Sequence, residues 1–163
     1  MNTDWYDEVT QTGKSQQYNL SIDGGNENTQ FRISGGYFDQ DAIVRTAGFK
    51  RINGGININH KLNEKLSLGT NLLVSQSQQV GPLNSGNFAN PILGSLFITP
   101  DYAPYDEQGN PNLFSGLYNP VAILAMDQNL NNTLKSIGSV TGTYKILPNF
   151  KFTSKFGIDY NNL

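Results

Sequence analysis

The side chains best suited to chemistry gather in one stretch of loop-forming sequence, residues 100–111. This stretch combines carboxylates with aromatic rings, and a further tyrosine follows shortly after it. Tyrosine rings are flat, amphipathic surfaces that suit sugars or peptides, and carboxylates accept hydrogen bonds. The sequence therefore predicts a substrate- or partner-binding surface formed by Asp101, Tyr102, Tyr105, Asp106, Glu107 and Tyr118.

The same carboxylates are poor candidates for catalysis. Glycoside hydrolysis needs a pair of carboxylates on a rigid frame, whereas these acids cluster on a loop. His60 is the only histidine and the chain has no cysteine, so the usual metal sites and catalytic triads cannot be assembled. We therefore predict that the protein is not an enzyme and that it carries neither a metal nor a cofactor.

Composition and the length of the apolar runs exclude three broad classes of protein. The 11 Lys and Arg residues against 13 Asp and Glu give a net charge of −2, whereas a nucleic-acid binder carries a basic excess. Eight Tyr, nine Phe and one Trp supply aromatic bulk that disordered chains lack. The longest apolar run, residues 121–126, is far shorter than the roughly 20 residues of a membrane-spanning helix. We therefore expect a folded chain without a nucleic-acid partner.

The elements that position the loop are strands, because a two-residue period recurs along the chain. In residues 51–62 the even positions are mainly apolar, and the odd positions are polar or glycine. Only a strand places alternate residues on opposite faces in this way. The other alternating segments are residues 18–23, 31–38, 66–74, 140–146 and 150–160.

Short and longer connections alternate between these segments. The short turns contain the glycine, asparagine or proline that turns require, whereas residues 39–48 form a medium loop and residues 79–134 a long one. The long loop has room for short helices over residues 88–98 and 121–126, the second with Pro120 at its first position. We therefore predict an all-β fold, an antiparallel meander of about six strands with one long loop that contains short helical pieces.

The apolar row of each strand suits either of two environments. In a soluble sheet it points into a core, whereas in an outer-membrane barrel it points to lipid and the polar row lines the lumen. Strands of about ten residues favour the barrel, as do short turns at one end of the strands and longer loops at the other end. If the turn at residues 63–65 is periplasmic, strand parity puts the long loop on the extracellular side. The alternative is a soluble carbohydrate-binding β-domain, in which the loop tyrosines stack on sugar rings.

The first third of the chain contains short sequence pieces in a distinctive order and spacing. They are Thr3-Asp4-Trp5 with Asp7-Glu8, Tyr18-Asn19-Leu20-Ser21, Gly24-Gly25, Thr29, Ser34-Gly35, Tyr37 and Gly48-Phe49-Lys50-Arg51. As a set, these pieces resemble the early barrel of SusC/RagA-type TonB-linked outer-membrane transporters. Ala42 stands where glycine is expected, a departure that affects only a loop.

The resemblance implies a large transmembrane barrel around an N-terminal plug, which imports oligosaccharides or peptides with energy from the inner membrane. Such barrels have about 22 strands, so this chain is expected to form about a quarter of the wall. On this basis residues 1–17 connect plug to barrel and residues 18–163 form part of the barrel. The resemblance also implies the outer membrane of a Gram-negative bacterium, contact with its lipid, a SusD-like surface lipoprotein partner, and coupling to the TonB system through parts absent from this chain.

Overall fold

The computed structural model describes residues 2–82, 90–113, 119–126 and 129–163. Six strands pair in sequence order to form one antiparallel sheet. The strands are β1 (Lys14–Gly25), β2 (Thr29–Asp41), β3 (Gly48–Lys61), β4 (Leu66–Gly81), β5 (Asn129–Leu147) and β6 (Phe150–Asn162). The helices are α1 (Trp5–Val9), α2 (Pro91–Phe97) and α3 (Pro120–Met126). The predicted all-β meander is thus confirmed.

Several strands are longer than their alternating segments predict. β4 continues to Gly81 and β5 begins at Asn129, so the segment between them is residues 82–128 instead of 79–134. Backbone pairing extends past the apolar rows because hydrogen bonding between strands does not require apolar and polar side chains to alternate. The sequence pattern therefore marks only the part of each strand that has two different faces.

The helices lie close to where the sequence predicts them in the long connection. α3 begins with Pro120 at its first position, as expected. α2 occupies the middle of the predicted 88–98 helix, and residues 88–89 lie outside the described part of the chain. Among the described residues, no helix has both the length and the apolar character needed to cross a membrane.

The pairing of β5 with β6 keeps the two faces of the sheet distinct. Val140 lies opposite Phe156, and Tyr144 opposite Phe152, so these apolar positions share one face. On the other face the hydroxyl oxygens of Thr143 and Thr153 are 3.2 Å apart. A one-residue slip in register would exchange the two faces, so the alternation itself specifies the register.

The chain divides into two compact units. The strand unit comprises Gln17–Phe38, Arg51–Ser77 and Asn132–Leu163, and the helical unit comprises Met1–Gln16, Asp39–Lys50 and Gln78–Asn131. Among the described residues, every buried hydrophobic side chain belongs to the helical unit. Its core consists of Trp5, Val9, Ile98, Val121 and Leu124, with Val44 and Ile92 packed against them.

The helical unit is held by side chains that cap its short helices. Asp4 accepts a hydrogen bond from the Asp7 amide at the start of α1, and Asn90 accepts two bonds at the start of α2. α2 and α3 approach so closely that a Cβ atom on Gly94 would lie 3.2 Å from the Pro120 ring. Because a five-residue helix is unstable alone, α1 depends on its packing in this unit.

Candidate functional site

The N-terminal segment fixes the backbone of the candidate binding loop within the helical unit. The Thr3 amide donates to the Pro100 carbonyl at 2.8 Å, and the Thr3 hydroxyl donates to the Tyr102 carbonyl at 2.9 Å. Nearby, the Trp5 indole nitrogen donates to the Thr99 carbonyl at 3.0 Å. Residues 99–102 are therefore anchored along one side by residues almost a hundred positions earlier.

Arg45 anchors the end of α1 in the same unit. Its amide donates to the Val9 carbonyl at 3.0 Å. Its guanidinium donates to the Thr10 carbonyl at 2.8 Å and to the Asp7 carbonyl at 3.1 Å. A cation at a helix C-terminus satisfies carbonyl groups that have no partner within the helix. The connection between β2 and β3 thus holds α1 in place.

Two asparagines fix the far side of the loop. The Asn112 amide side chain donates to the carbonyl oxygens of Ala103 and Tyr105, at 2.8 and 2.9 Å. The Asn119 side chain is buried and donates to the carbonyl oxygens of Pro104 and Asn112, at 2.8 and 2.9 Å. Its oxygen accepts from the Val121 amide at the start of α3. Residues 99–113, which we call the platform, are therefore held by hydrogen bonds on both sides.

Asp106 forms the tight turn at the tip of this platform. Its carboxylate accepts hydrogen bonds from the amides of Gln108 and Asn110, at 2.9 and 2.8 Å. Gly109 adopts the left-handed backbone region, with φ of 85°, which glycine tolerates without strain. The bond from the Asn110 backbone is the main cause that lowers the pKa of Asp106 below its ordinary value. This carboxylate thus stabilises its own turn.

The Tyr105 hydroxyl meets an acid from α1. It donates to Glu8 Oε2 at 3.4 Å. Partial burial raises the pKa of Tyr105, and the negative charge of Glu8 raises it further. The hydroxyl therefore stays protonated at neutral pH, and Tyr105 exposes 41% of its surface.

Asp101, Tyr102 and Glu107 lie at the surface of the platform. A hydrogen bond from the Thr99 hydroxyl is the main cause that lowers the pKa of Asp101. Tyr102 exposes 39% of its surface. The structure thus gathers five of the six predicted residues on one anchored loop, and Tyr118 lies outside the described residues.

The platform presents aromatic rings and carboxylates at its surface. Its rings and carboxylates can stack on and hydrogen-bond to a ligand. Within the described ranges, no group of three or more His, Cys, Asp or Glu side chains could hold a metal ion.

The polar face of the strand unit forms a second surface, an open cavity of about 550 Å³. Asn57, Asn59, Thr141, Thr143 and Lys155 are among its lining residues. All five have odd residue numbers, so within each strand the alternation places them on the same face. Amide and hydroxyl groups dominate this surface, which suits a hydrated environment.

Sequence reasoning missed the anchors of the platform. The partners of Trp5 and Arg45 are distant in sequence, and no local pattern marks the carbonyl groups that Asn112 and Asn119 bind. The one available signal was the asparagine before Pro120, since Asn and Pro together begin helices.

We predict that Asp106→Ala loosens the turn whereas Glu107→Gln does not. Loss of the Asp106 acceptor should accelerate amide hydrogen exchange at Gln108 and Asn110. Because the folded-state pKa of Asp106 is lowered, its stabilising contribution is present above the ordinary pKa, roughly 3.9, and is lost as pH falls through the lowered value. Site-resolved exchange measured against pH checks this, and equal exchange rates in both variants would contradict it.

The chain is similar over almost its whole length to TonB-dependent receptors. The TonB-dependent receptor SusC of Bacteroides thetaiotaomicron is 26% identical over 98% of this chain and 18% of its own length. The TonB-dependent receptor P3 of Formosa agariphila is 25% identical over 99% of this chain and 17% of its own length. The chain therefore spans less than a fifth of the relatives that it matches. No family model matches it.

Two solved structures share the fold. The RagAB peptide importer in the closed-closed state superposes with a TM-score of 0.78 at 23% identity, over 99% of this chain and 19% of the importer chain. The RagAB peptide transporter gives a TM-score of 0.79 at 21% identity, over 98% of this chain and 19% of the other.

These relatives agree with the predicted class of protein. They are receptors and transporters and not enzymes, as the sequence predicts for this chain. TonB-dependent receptors, as a class, are outer-membrane proteins of Gram-negative bacteria. The chain is thus similar over nearly its whole length to one part of TonB-dependent receptors of the SusC type, and it shares its fold with part of the RagAB importer.

Proposed function

We propose that this segment forms barrel wall and an external binding surface in a TonB-dependent transporter, which imports oligosaccharides or peptides across the outer membrane of a Gram-negative bacterium. The observation that carries the proposal is the contrast between the two faces of the sheet. One face is apolar and exposed, and the other is polar and lines an open cavity.

The apolar face has no protein cover in the described part of the chain. Ile52 exposes 59% of its surface and Phe156 exposes 68%, and the strand unit has no buried hydrophobic side chain among its described residues. Burying one such side chain is worth about 1.5–3 kcal/mol, and soluble proteins rarely expose apolar patches of this extent. Lipid supplies the missing apolar environment, which favours the barrel over the soluble carbohydrate-binding domain.

The different connections at the two ends of the strands support an orientation of the sheet across the membrane. The short turns at residues 26–28, 62–65 and 148–149 lie at one end of the strands. The connections at residues 42–47 and 82–128 lie at the other end. Outer-membrane barrels have short periplasmic turns and longer extracellular loops. We therefore place the two longer connections, and the platform of residues 99–113, on the extracellular side.

A surface lipoprotein of the SusD type is the proposed partner of this external surface. α2 and α3 pack on each other, yet Leu96, Phe97 and Met126 remain exposed. Exposed apolar side chains of this size suit a protein interface. The named relatives include a peptide importer, so peptides and glycans both stand as proposed substrates, with the TonB system as the energy source.

The predicted role of residues 1–17 as a plug-to-barrel connection remains a prediction. In the structure, residues 3–10 hydrogen-bond to the platform and to Arg45, and β1 begins at Lys14. If the platform is extracellular, the segment before β1 also lies on that side. A plug joined to this segment would then connect to the barrel at the extracellular end of β1.

The orientation predicts a sharp difference between two neighbouring residues of β3. In the complete receptor, Ile56→Arg places a charge in lipid and should cost about 2–4 kcal/mol, whereas Asn57→Arg places the same charge in the lumen. We expect outer-membrane levels of the folded receptor to fall strongly for Ile56→Arg only. Equal tolerance of both substitutions would overturn the orientation.

The platform predicts a defect in recognition without a defect in assembly. Deleting the loop would also remove the anchors of α1, so point substitutions are sharper. Tyr102→Ala removes an exposed ring and should weaken substrate or lipoprotein binding about 2–10-fold, the value of an aromatic contact.

Gln108→Ala, a nearby exposed change, serves as the matched control. Binding and uptake are measured at equal outer-membrane levels of receptor. Unchanged binding and uptake in the Tyr102→Ala receptor would exclude this ring from recognition.

A further inference from the structure

The connection between β2 and β3, residues 42–47, holds one residue in an unfavourable backbone conformation. Thr46 has a φ of 66°, and among the described residues it is the one residue other than glycine with a positive φ. The branched Cβ of threonine makes the left-handed region costly. A residue of this kind persists only where its surroundings fix it, and such residues are typical of switch regions.

Backbone hydrogen bonds on both sides of Thr46 fix this conformation. The Ala47 amide donates to the Val44 carbonyl at 3.2 Å and closes the turn. The Arg45 amide donates to the Val9 carbonyl at 3.0 Å, so the residue before Thr46 is bonded to α1. A return of Thr46 to negative φ would rotate the neighbouring peptide groups and break these bonds. The strain is therefore held by the contact with α1.

The end of α1 depends in turn on this connection. The Arg45 guanidinium donates to the carbonyls of Thr10 and Asp7, at 2.8 and 3.1 Å. The Gln11 amide donates to the Ile43 carbonyl at 2.8 Å. These bonds satisfy carbonyl groups that a helix end leaves without partners. A change at residues 42–47 would thus release the end of α1.

The start of the same helix is bonded to the platform. Thr3 donates to the carbonyls of Pro100 and Tyr102, and the Trp5 indole donates to the Thr99 carbonyl. α1 has five residues, which span only about 7.5 Å at 1.5 Å per residue. A single turn of helix is too short to absorb a displacement, so movement at one end carries the other end with it.

We propose that the connection 42–47 is a conformational switch whose state α1 transmits to the platform. In the structure, the contacts of Arg45 with α1 hold Thr46 in its strained conformation. When Thr46 relaxes, Arg45 withdraws from the end of α1, the helix shifts, and the bonds to residues 99–102 are lost. The coupling is reciprocal, so a molecule that fixes the platform also fixes the connection.

Amide hydrogen exchange of the complete protein in detergent, resolved to single residues, tests the coupling. The amide of residue 45 reports the contact between the connection and α1, and the Thr3 amide reports the contact with the platform. The Lys145 amide, which donates to the Lys65 carbonyl in the strand unit, is the reference. No ligand is needed, so the result does not depend on the proposed function.

The substitution Thr46→Asn relieves the strain, because asparagine accepts the left-handed region more readily. The side chain of Thr46 is exposed, so the substitution creates no cavity. We expect exchange to slow about fivefold, the scale of such strain, at Arg45 and also at distant Thr3. Thr46→Val keeps the branched Cβ and serves as the matched control, with exchange as in the natural chain.

Removal of the guanidinium tests the transmission itself. Arg45→Met should speed exchange at Thr3 about tenfold, since bonds from a charged donor are lost. In this background Thr46→Asn should no longer slow exchange at Thr3. Lys50→Met also removes a cation from the helical unit, one paired with Asp39 at 3.7 Å, and should leave Thr3 unchanged. The Thr46 variants decide the outcome if Arg45→Met fails to assemble.

Three results would overturn the proposal. If Thr46→Asn slows exchange at Arg45 and leaves Thr3 unchanged, the connection is strained but α1 transmits nothing. If Thr46→Val acts as Thr46→Asn does, relief of backbone strain is not the cause. If exchange at Lys145 changes as much as exchange at Thr3, the substitutions alter the stability of the whole protein and no switch is involved.

Discussion

The structure depends on the geometry of the β-strand, which points successive side chains to opposite faces of one hydrogen-bonded sheet. In this chain one row is built from isoleucine, leucine and aromatic residues, and the other from asparagine, threonine, lysine and glycine. A sheet of this kind needs two different environments at once. The register of β5 with β6 keeps the two rows on opposite faces. The exposed apolar side chains lie on one face, and the cavity of about 550 Å³ lies on the other.

The helical unit obeys a different constraint, since its elements are too short to be stable alone. Its stability comes from the burial of Trp5 and Val9 together with helices from a distant part of the sequence. Buried Asn119 satisfies backbone carbonyls on both sides of the platform. Carbonyl groups left unpaired in such a place would each cost about 1–3 kcal/mol. The outer surface of the platform can therefore vary while these internal contacts hold it.

The strands could be predicted from sequence because their alternation is local. Residues 51–62 show the pattern without any knowledge of a partner strand. The strand ends could not be predicted, since the alternation of apolar and polar residues stops before backbone pairing does, which continues to Gly81 in β4. α1 was also missed, because five residues carry no helical period and its anchor, the bond from Trp5 to Thr99, spans 94 positions.

The binding role of the candidate residues remains a prediction, and the structure shows that one of them has an internal role. Exposed Tyr102 and Glu107 fit the predicted binding surface, whereas Asp106 stabilises its own turn. The following Gly109 and Asn110 are typical turn formers, and this signal was available in the sequence.

The central claim, that the apolar row of the sheet faces lipid, has a direct measurement. The segment contains no cysteine, so Ile56→Cys and Asn57→Cys each introduce one spin-labelling site in a receptor free of other cysteines. Collision with oxygen, which concentrates in the bilayer, is compared with collision with a water-soluble nickel chelate. We expect high oxygen and low nickel accessibility at position 56, and lower oxygen accessibility at position 57. Oxygen accessibility at position 57 equal to or above that at position 56 would contradict it.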